Sequence, residues 1–91
     1  MEFEWDQDKA KRNLSKHKVD FDEAATVFGD SLSSTFPDPA HSIDEDRYIT
    51  IGTSGRGRVL IVSHTDRQGR IRIISARKAT PRERRSYEEE S

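Results

Sequence analysis

The sequence predicts an α+β domain, an antiparallel β-sheet meander packed by two N-terminal helices and one C-terminal helix. Residues 6–29 hold two successive helix-start signatures, each followed by apolar residues at helical spacing. Residues 47–77 hold three β-favouring runs at regular spacing, separated by the turn-forming stretches S-G-R-G and D-R-Q-G. The last run, R-I-R-I-I-S-A-R, leads within two residues into the helix start T-P-R-E.

Phe3 and Trp5 alternate with Glu2, Glu4 and Asp6, the period of a short strand with one buried face. Asp6 then caps a helix reaching His17, with Ala10 and Leu14 on the inward stripe and Lys16, His17 and Lys18 suited to its C-terminal dipole. His17 reads as a helix-terminal residue rather than a catalytic one. Asp20 and Glu23 form a second capping signature. Phe21, Ala24, Ala25 and Phe28 follow at helical spacing until Gly29, which places both phenylalanines in the core. Residues 31–37 favour a strand, and the polar, acidic stretch Asp38–Asp46 is a loop. Arg47–Thr53, Arg58–Thr65 and Arg70–Arg77 are the three meander strands. Val59, Leu60, Ile61 and Val62 are apolar in succession, which makes the middle one central. Thr80 caps the last helix, Pro81 occupies its first turn and Glu83 completes a capping box. The tail E-E-E-S after Tyr87 is expected to fray.

Ninety-one residues support a single domain, 1–91. The chain is 31% hydrophobic and 36% charged, a composition poor in core material and compatible with stabilisation by a partner chain. Without cysteine it has no disulfide framework, thiolate metal site or cysteine nucleophile, which suits a reducing cytosol. No apolar run reaches membrane-spanning length and the start M-E-F-E-W is acidic, so the expected setting is soluble and cytoplasmic, with no membrane contact. The formal charge of −1 conceals a division into −6 over residues 1–54, +8 over 55–85 and −3 over 86–91. Such a basic block fits an anionic partner, with nucleic acid ahead of an acidic protein, and fits equally a solvated basic strand pair.

The phrases F-E-W-D-x-x-K-A-x-x-N-L-x-K-H, D-P-A-H-S-I-D-E-D-R-Y-I-T-I-G and R-I-I-S-A-R-K-A-T-x-x-E-R-x-x-Y together resemble the BrnT family of type II toxin–antitoxin toxins, over nearly the whole chain from Phe3 to Tyr87. The resemblance implies a RelE-like fold and a ribonuclease activity that arrests translation. It also implies a cognate BrnA-type antitoxin, a toxin–antitoxin heterotetramer, and contact with operator DNA through the antitoxin. Lys18 departs from the family pattern, which has Gly after the Lys-His pair. A left-handed Lys18 would cost about 1 kcal/mol relative to Gly without touching the site.

Metal-free RNA cleavage must activate a 2′-hydroxyl, stabilise charge on phosphorus and protonate the leaving oxygen. Arg77, at the strand end before the helix, is the candidate for gripping the scissile phosphate. Arg58, Arg67, Arg72 and Arg47 are candidates for flanking RNA phosphates. Strict alternation sets Arg72 and Arg77 on opposite faces, so they share a site only if a bulge or the strand end re-aims one. His64, on the central strand, is the first titrating candidate, and His41, with Glu45 near enough in sequence to orient it, is its rival. Each also reads as structure: His64 as a satisfied sheet residue, His41 and Glu45 as a loop or an antitoxin contact. Tyr87 either meets RNA or packs the last helix. No metal-ligand spacing or phosphate-binding glycine loop is present, and no cofactor is expected. Two functions stay open, an RNA-cleaving toxin and a non-catalytic protein that binds its antitoxin and modulates transcription.

Overall fold

The computed structural model describes residues 1–90. In chain order the elements are β1 (Phe3–Glu4), α1 (Gln7–His17), α2 (Phe21–Thr26), β2 (Ser34–Pro37), β3 (Arg47–Thr53), β4 (Val59–Arg67), β5 (Arg70–Lys78) and α3 (Pro81–Glu90). The Asp6 carboxylate caps α1 by accepting from the Lys9 N–H at 2.9 Å, and the Asp20 carboxylate caps α2 by accepting from the Glu23 N–H at 2.6 Å. A 3-10 turn, Val27–Gly29, continues the second helical segment to the predicted glycine. Lys18 does adopt the left-handed conformation, with φ 60°, and its N–H returns to the Leu14 carbonyl at 3.0 Å.

The five strands form one sheet in the order β1-β5-β4-β3-β2, so β4 is central as its apolar run implies. The sheet is mixed, which corrects the expectation of a purely antiparallel meander: β2 to β5 pair antiparallel, while β1 runs parallel to β5, with Phe3 opposite Ile71. No hairpin joins β1 to β5, and side-chain alternation reads the same in either direction, so nothing local fixes their relative sense.

Each sheet face buries its own cluster. On one, Leu60, Val62, Ile73 and Ala76 pack against Val19, Phe21, Ala24 and Val27 from the α1–α2 segment. On the other, Ile51 and Ile61 pack against Tyr87 of α3. Gly52 lies where the first helical layer presses closest: a Cβ there would sit 2.9 Å from both Ser33 Cβ and Val27 Cγ1, so any larger residue forces the turn off the sheet.

Alternation along β5 breaks once. Ser75 pairs with Ser63 and Ile73 with His64, leaving Ile74 as an extra, unpaired residue. Ile73 and Ala76, an odd number of positions apart, therefore both face the α1–α2 core. Arg72 and Arg77, their outer neighbours, both face α3.

Next to this bulge β1 has already ended, and β5 would expose an open edge. Asn13 closes it. Its side-chain amide donates to the Ala76 carbonyl at 2.8 Å and accepts from the Ala76 N–H at 3.1 Å, reproducing the pairing of a neighbouring strand. The same NH₂ donates to the Val19 carbonyl at 2.9 Å, tying the turn after α1 to the sheet.

The α3 start is the predicted capping box: the Glu83 N–H donates to Thr80 Oγ1 at 3.1 Å and the Thr80 N–H to Glu83 Oε1 at 2.9 Å. Of the acidic tail, residues 88–90 are helical, and Ser91 lies outside the described residues. Helix continues through Glu90, anchored by Tyr87, whose hydroxyl donates to Asp30 and lies 3.0 Å from Thr53 Oγ1. Burial, helped by the Asp30 carboxylate, raises the Tyr87 pKa.

Asn13→Ala leaves the Ala76 N–H, the Ala76 carbonyl and the Val19 carbonyl unpaired, and should cost about 2–4 kcal/mol. A melting temperature lowered by roughly 10 °C or more would register it. In the opposite direction, Lys18→Gly relieves a left-handed backbone and should stabilise by about 1 kcal/mol in denaturant titration.

Candidate active site: an arginine and a histidine–aspartate pair in one cleft

Between Pro37 and Arg47 the chain forms a braced hairpin loop. The Asp38 N–H donates to the Arg47 carbonyl at 2.9 Å, the Arg47 N–H to Ser42 Oγ at 3.0 Å, and Ser42 Oγ to the Asp38 carbonyl at 2.8 Å. Pro39 opens a 3-10 turn, Pro39–His41, that presents the His41 ring. His41 Nδ1 lies 2.9 Å from Asp38 Oδ2. With Nδ1 held by the carboxylate, Nε2 is the atom available to a ligand.

His41 and Asp38 line a cavity of ≈ 330 Å³ with Arg77, Ser63, Ser75 and His17. The Ile74 bulge is what brings Arg77 and Ser75 to this face. A larger cleft of ≈ 450 Å³ adjoins, sharing Arg77, and its walls are mainly apolar: Phe36, Ile49, Ile51, Ile61 and Tyr87, with Glu83 and Ser86 at the α3 side. Arg77 thus stands between a chamber that mixes polar side chains with Ile49 and Ile61 and a mainly apolar one.

Its guanidinium is already engaged. Arg77 Nη1 donates to Glu83 Oε1 at 2.7 Å and Nη2 to Glu83 Oε2 at 3.0 Å, a two-point pair built on the capping-box carboxylate. The Arg77 hydrogen bonds, with Thr80 in support, lower the Glu83 pKa from 4.5 to about 2 despite the opposing effect of burial. The fork geometry that grips this carboxylate equally suits a phosphate.

The other sequence-predicted residues scatter. His64 faces the α1–α2 core, on the side of the sheet away from Arg77: it packs edge-on against Phe28 at 4.9 Å, and Nε2 lies 2.7 Å from Thr50 Oγ1. Burial lowers its pKa, with Asp66 opposing weakly, so the ring is held neutral. Glu45 is exposed on the loop, and Asp38 holds the imidazole in its place. Arg58 donates to Glu23 Oε2 at 2.9 Å and to the Lys18 carbonyl at 3.1 Å, an internal tie of α2 to the sheet that lowers the Glu23 pKa. Arg72 faces α3 as Arg77 does, but donates to Glu4 Oε2 at 2.8 Å. Arg67 lies six strand positions beyond the Ile61 that faces Arg77, about 20 Å away. Arg47 contributes its backbone to the His41 loop, and its Nε is buried with no hydrogen-bond partner among the described residues. Tyr87 lines the apolar cleft, with its hydroxyl committed to Asp30 and Thr53.

Asp38 escaped the sequence reading, in which His17 is a helix-terminal residue only. Asp38 is discoverable from its i, i+3 spacing to His41 behind a proline. His17 carries no such signal, because only the packing of α1 beside Ser75 brings it there. Among the described residues no three His, Cys, Asp or Glu side chains converge as a metal-holding group. None of the described helices is long and apolar enough to cross a membrane.

The fold is a small mixed-sheet α+β arrangement, with one helical layer on one face of the sheet and an arginine-centred cleft beside a lone C-terminal helix on the other. The chain belongs to the BrnT family: residues 5–83 match the family described as the ribonuclease toxin, BrnT, of type II toxin–antitoxin systems. Its fold is similar to that in the 1.1 Å crystal structure of the Brucella abortus ribonuclease toxin BrnT, with a TM-score of 0.70, 23% identity, 88% of this chain covered and 97% of that one. No curated protein matches by sequence.

The Arg77–Glu83 pair makes α3 docking acid-sensitive. The folded Glu83 pKa lies below its ordinary 4.5, so the stabilisation is complete above 4.5 and is lost as pH falls through about 2. Because the pair is partly exposed, screening reduces it to about 1 kcal/mol. Glu83→Gln should melt lower than the parent chain at neutral pH, and the two melting temperatures should converge near pH 2.

Proposed function

We propose that the chain is a metal-independent endoribonuclease toxin that cleaves RNA in the cleft between β3, β5 and α3, and thereby inhibits translation. The observation that carries this reading is the shared cavity of Arg77 and the His41–Asp38 pair. The family's ribonuclease description supports the reaction class.

In the proposed reaction a ribose 2′-oxygen attacks the adjacent phosphorus, the P–O5′ bond breaks, and the products are a 2′,3′-cyclic phosphate and a 5′-hydroxyl. Arg77 exchanges Glu83 for the scissile phosphate, and its two-point contact strengthens as charge builds on the equatorial oxygens. His41 Nε2 moves the proton at the 2′-oxygen or at the leaving 5′-oxygen, and Asp38 fixes the tautomer and steadies the charged ring. The apolar chamber of Phe36, Ile49 and Tyr87 gives a neighbouring base a surface to lie against. A cognate BrnA-type antitoxin neutralises the toxin in a heterotetramer that reaches operator DNA through the antitoxin.

The Arg77–Glu83 pair also favours a second reading, a non-catalytic antitoxin-binding co-regulator in which Arg77 only pins α3. Expression of the chain alone separates the two. A ribonuclease halts growth, whereas a co-regulator leaves it unchanged.

Arg77→Ala should lower RNA cleavage about a hundredfold or more, equivalent to losing about 2.7–4 kcal/mol of transition-state stabilisation. Arg77→Lys should recover melting temperature better than activity, because a point charge restores the ion pair but not the fork. His41→Ala should cost roughly 10²–10⁴-fold, and Asp38→Asn more than Glu45→Gln. Cleavage retained by Arg77→Ala, alongside a lowered melting temperature, would discard the catalytic role.

A further inference from the structure

The basic block of residues 55–85 suggests an anion-binding face, yet much of it is matched within the fold. Arg56 and Arg58 reach Asp20 and Glu23, Arg70 and Arg72 reach Glu2 and Glu4, and Arg77 reaches Glu83. Arg67, Lys78, Arg82, Arg84 and Arg85 are exposed and have no ion pair among the described residues, and the first helix adds further such cations. α1 carries Lys9, Lys11, Arg12 and Lys16 against one acidic residue, Asp8. Lys9, Arg12 and Lys16 recur at i, i+3 and i+7 and so share one face, together with Asn13 and His17. All three cations are exposed, and none has an ion-pair partner among the described residues.

This face is a groove. Lys9, Arg12 and Lys16 border a shallow depression of ≈ 360 Å³ whose floor includes Ile74, the bulged residue of β5, and Ser75. The depression and the His41–Arg77 cavity share His17 and Ser75, so one surface runs from the cleft along α1 to its first turn. We infer that the Lys9–Arg12–Lys16 face of α1 is a track for the phosphates of single-stranded RNA on one side of the scissile bond.

The inference rests on the proposed ribonuclease reading and extends its substrate from one phosphodiester to a strand of several nucleotides. Dimensions fit. Seven residues of α-helix span about 10 Å, and the long Lys and Arg side chains extend that reach, so each of the three cations can meet one of a few successive phosphates. The apolar Ile74 floor suits sugar and base surface between charged rims. An acidic protein segment would also find the charge, but the groove opens directly into the chamber assigned to the reacting phosphate, and that continuity favours the substrate strand.

The test is the triple variant Lys9→Gln, Arg12→Gln, Lys16→Gln, which removes exposed charge and leaves Asn13 and the cleft intact. Its binding to a twelve-nucleotide 2′-O-methyl RNA, which cannot be cleaved, is measured against salt. Losing three phosphate contacts should shallow the slope of log K against log[salt] by about 2, which amounts to about a hundredfold weaker binding at 0.1 M salt that fades toward 1 M. Cleavage of a dinucleotide should be unchanged, because it does not reach α1. An unchanged slope for the twelve-mer overturns the track. So does unchanged RNA binding combined with weakened capture of the antitoxin, which would reassign the face to a protein partner. The uncleavable ligand keeps the result independent of catalysis: failure of the parent chain to cut ordinary RNA would refute the ribonuclease reading while the slope still decides the track.

Discussion

The stretch of β5 from Ile73 to Ala76 is the constraint on which both layers and the cleft depend. Ile74 interrupts the pairing with β4, and Asn13 satisfies the Ala76 backbone on the opposite edge. Without the extra residue the alternation fixed by Ile73 would turn Ala76 toward α3 and Arg77 into the Leu60–Val62 core. An arginine there would lose its hydration among apolar neighbours, at a cost no single ion pair offsets. The bulge therefore keeps the α1–α2 core apolar and delivers a guanidinium to the α3 face. Asn13 makes the interruption tolerable, since its amide stands in for a strand where β1 has ended.

Charge in this molecule divides by role. Acidic residues of the N-terminal half meet arginines of β5 and of the β3–β4 turn across the fold: Glu4 with Arg72, Glu23 with Arg58. These contacts tie β1 and α2 to the meander and explain how a chain with few apolar residues holds two layers on one sheet. They also withdraw those arginines from any ligand. The α1 cations, which form no ion pair within 4 Å among the described residues, come from a segment whose half of the chain is net acidic, so net charge by region points away from them.

The Glu83 carboxylate joins folding to the cleft. It closes the capping box of α3, accepts both arms of Arg77 and borders the apolar chamber where Tyr87 is anchored. Releasing Arg77 toward a phosphate leaves Glu83 Oε1, which Arg77 Nη1 shares with the Thr80 N–H, still accepting from Thr80. The resting pair thus holds the guanidinium in a defined orientation without committing it permanently.

By itself the sequence determined the local elements: Asp6, Asp20 and Thr80 as caps, Gly29 as a stop, three β runs and a central β4. Each is a short-range effect of backbone hydrogen bonding or side-chain period, readable within a few residues. It also singled out Arg77, placed His64 ahead of His41 as the titrating residue, and required a bulge or the strand end to bring Arg72 and Arg77 to one site. Tertiary structure alone decided the rest. The parallel sense of β1 has no local determinant, and His64 went to the core face because Phe28 and Thr50 occupy that side of β4. Asp38 displaced Glu45 because the Pro39 turn folds the chain back on itself. His17 joined the cleft, and α1 its rim, because Asn13 docks that helix on the open edge of β5, a contact between residues 63 positions apart that no short window of sequence contains.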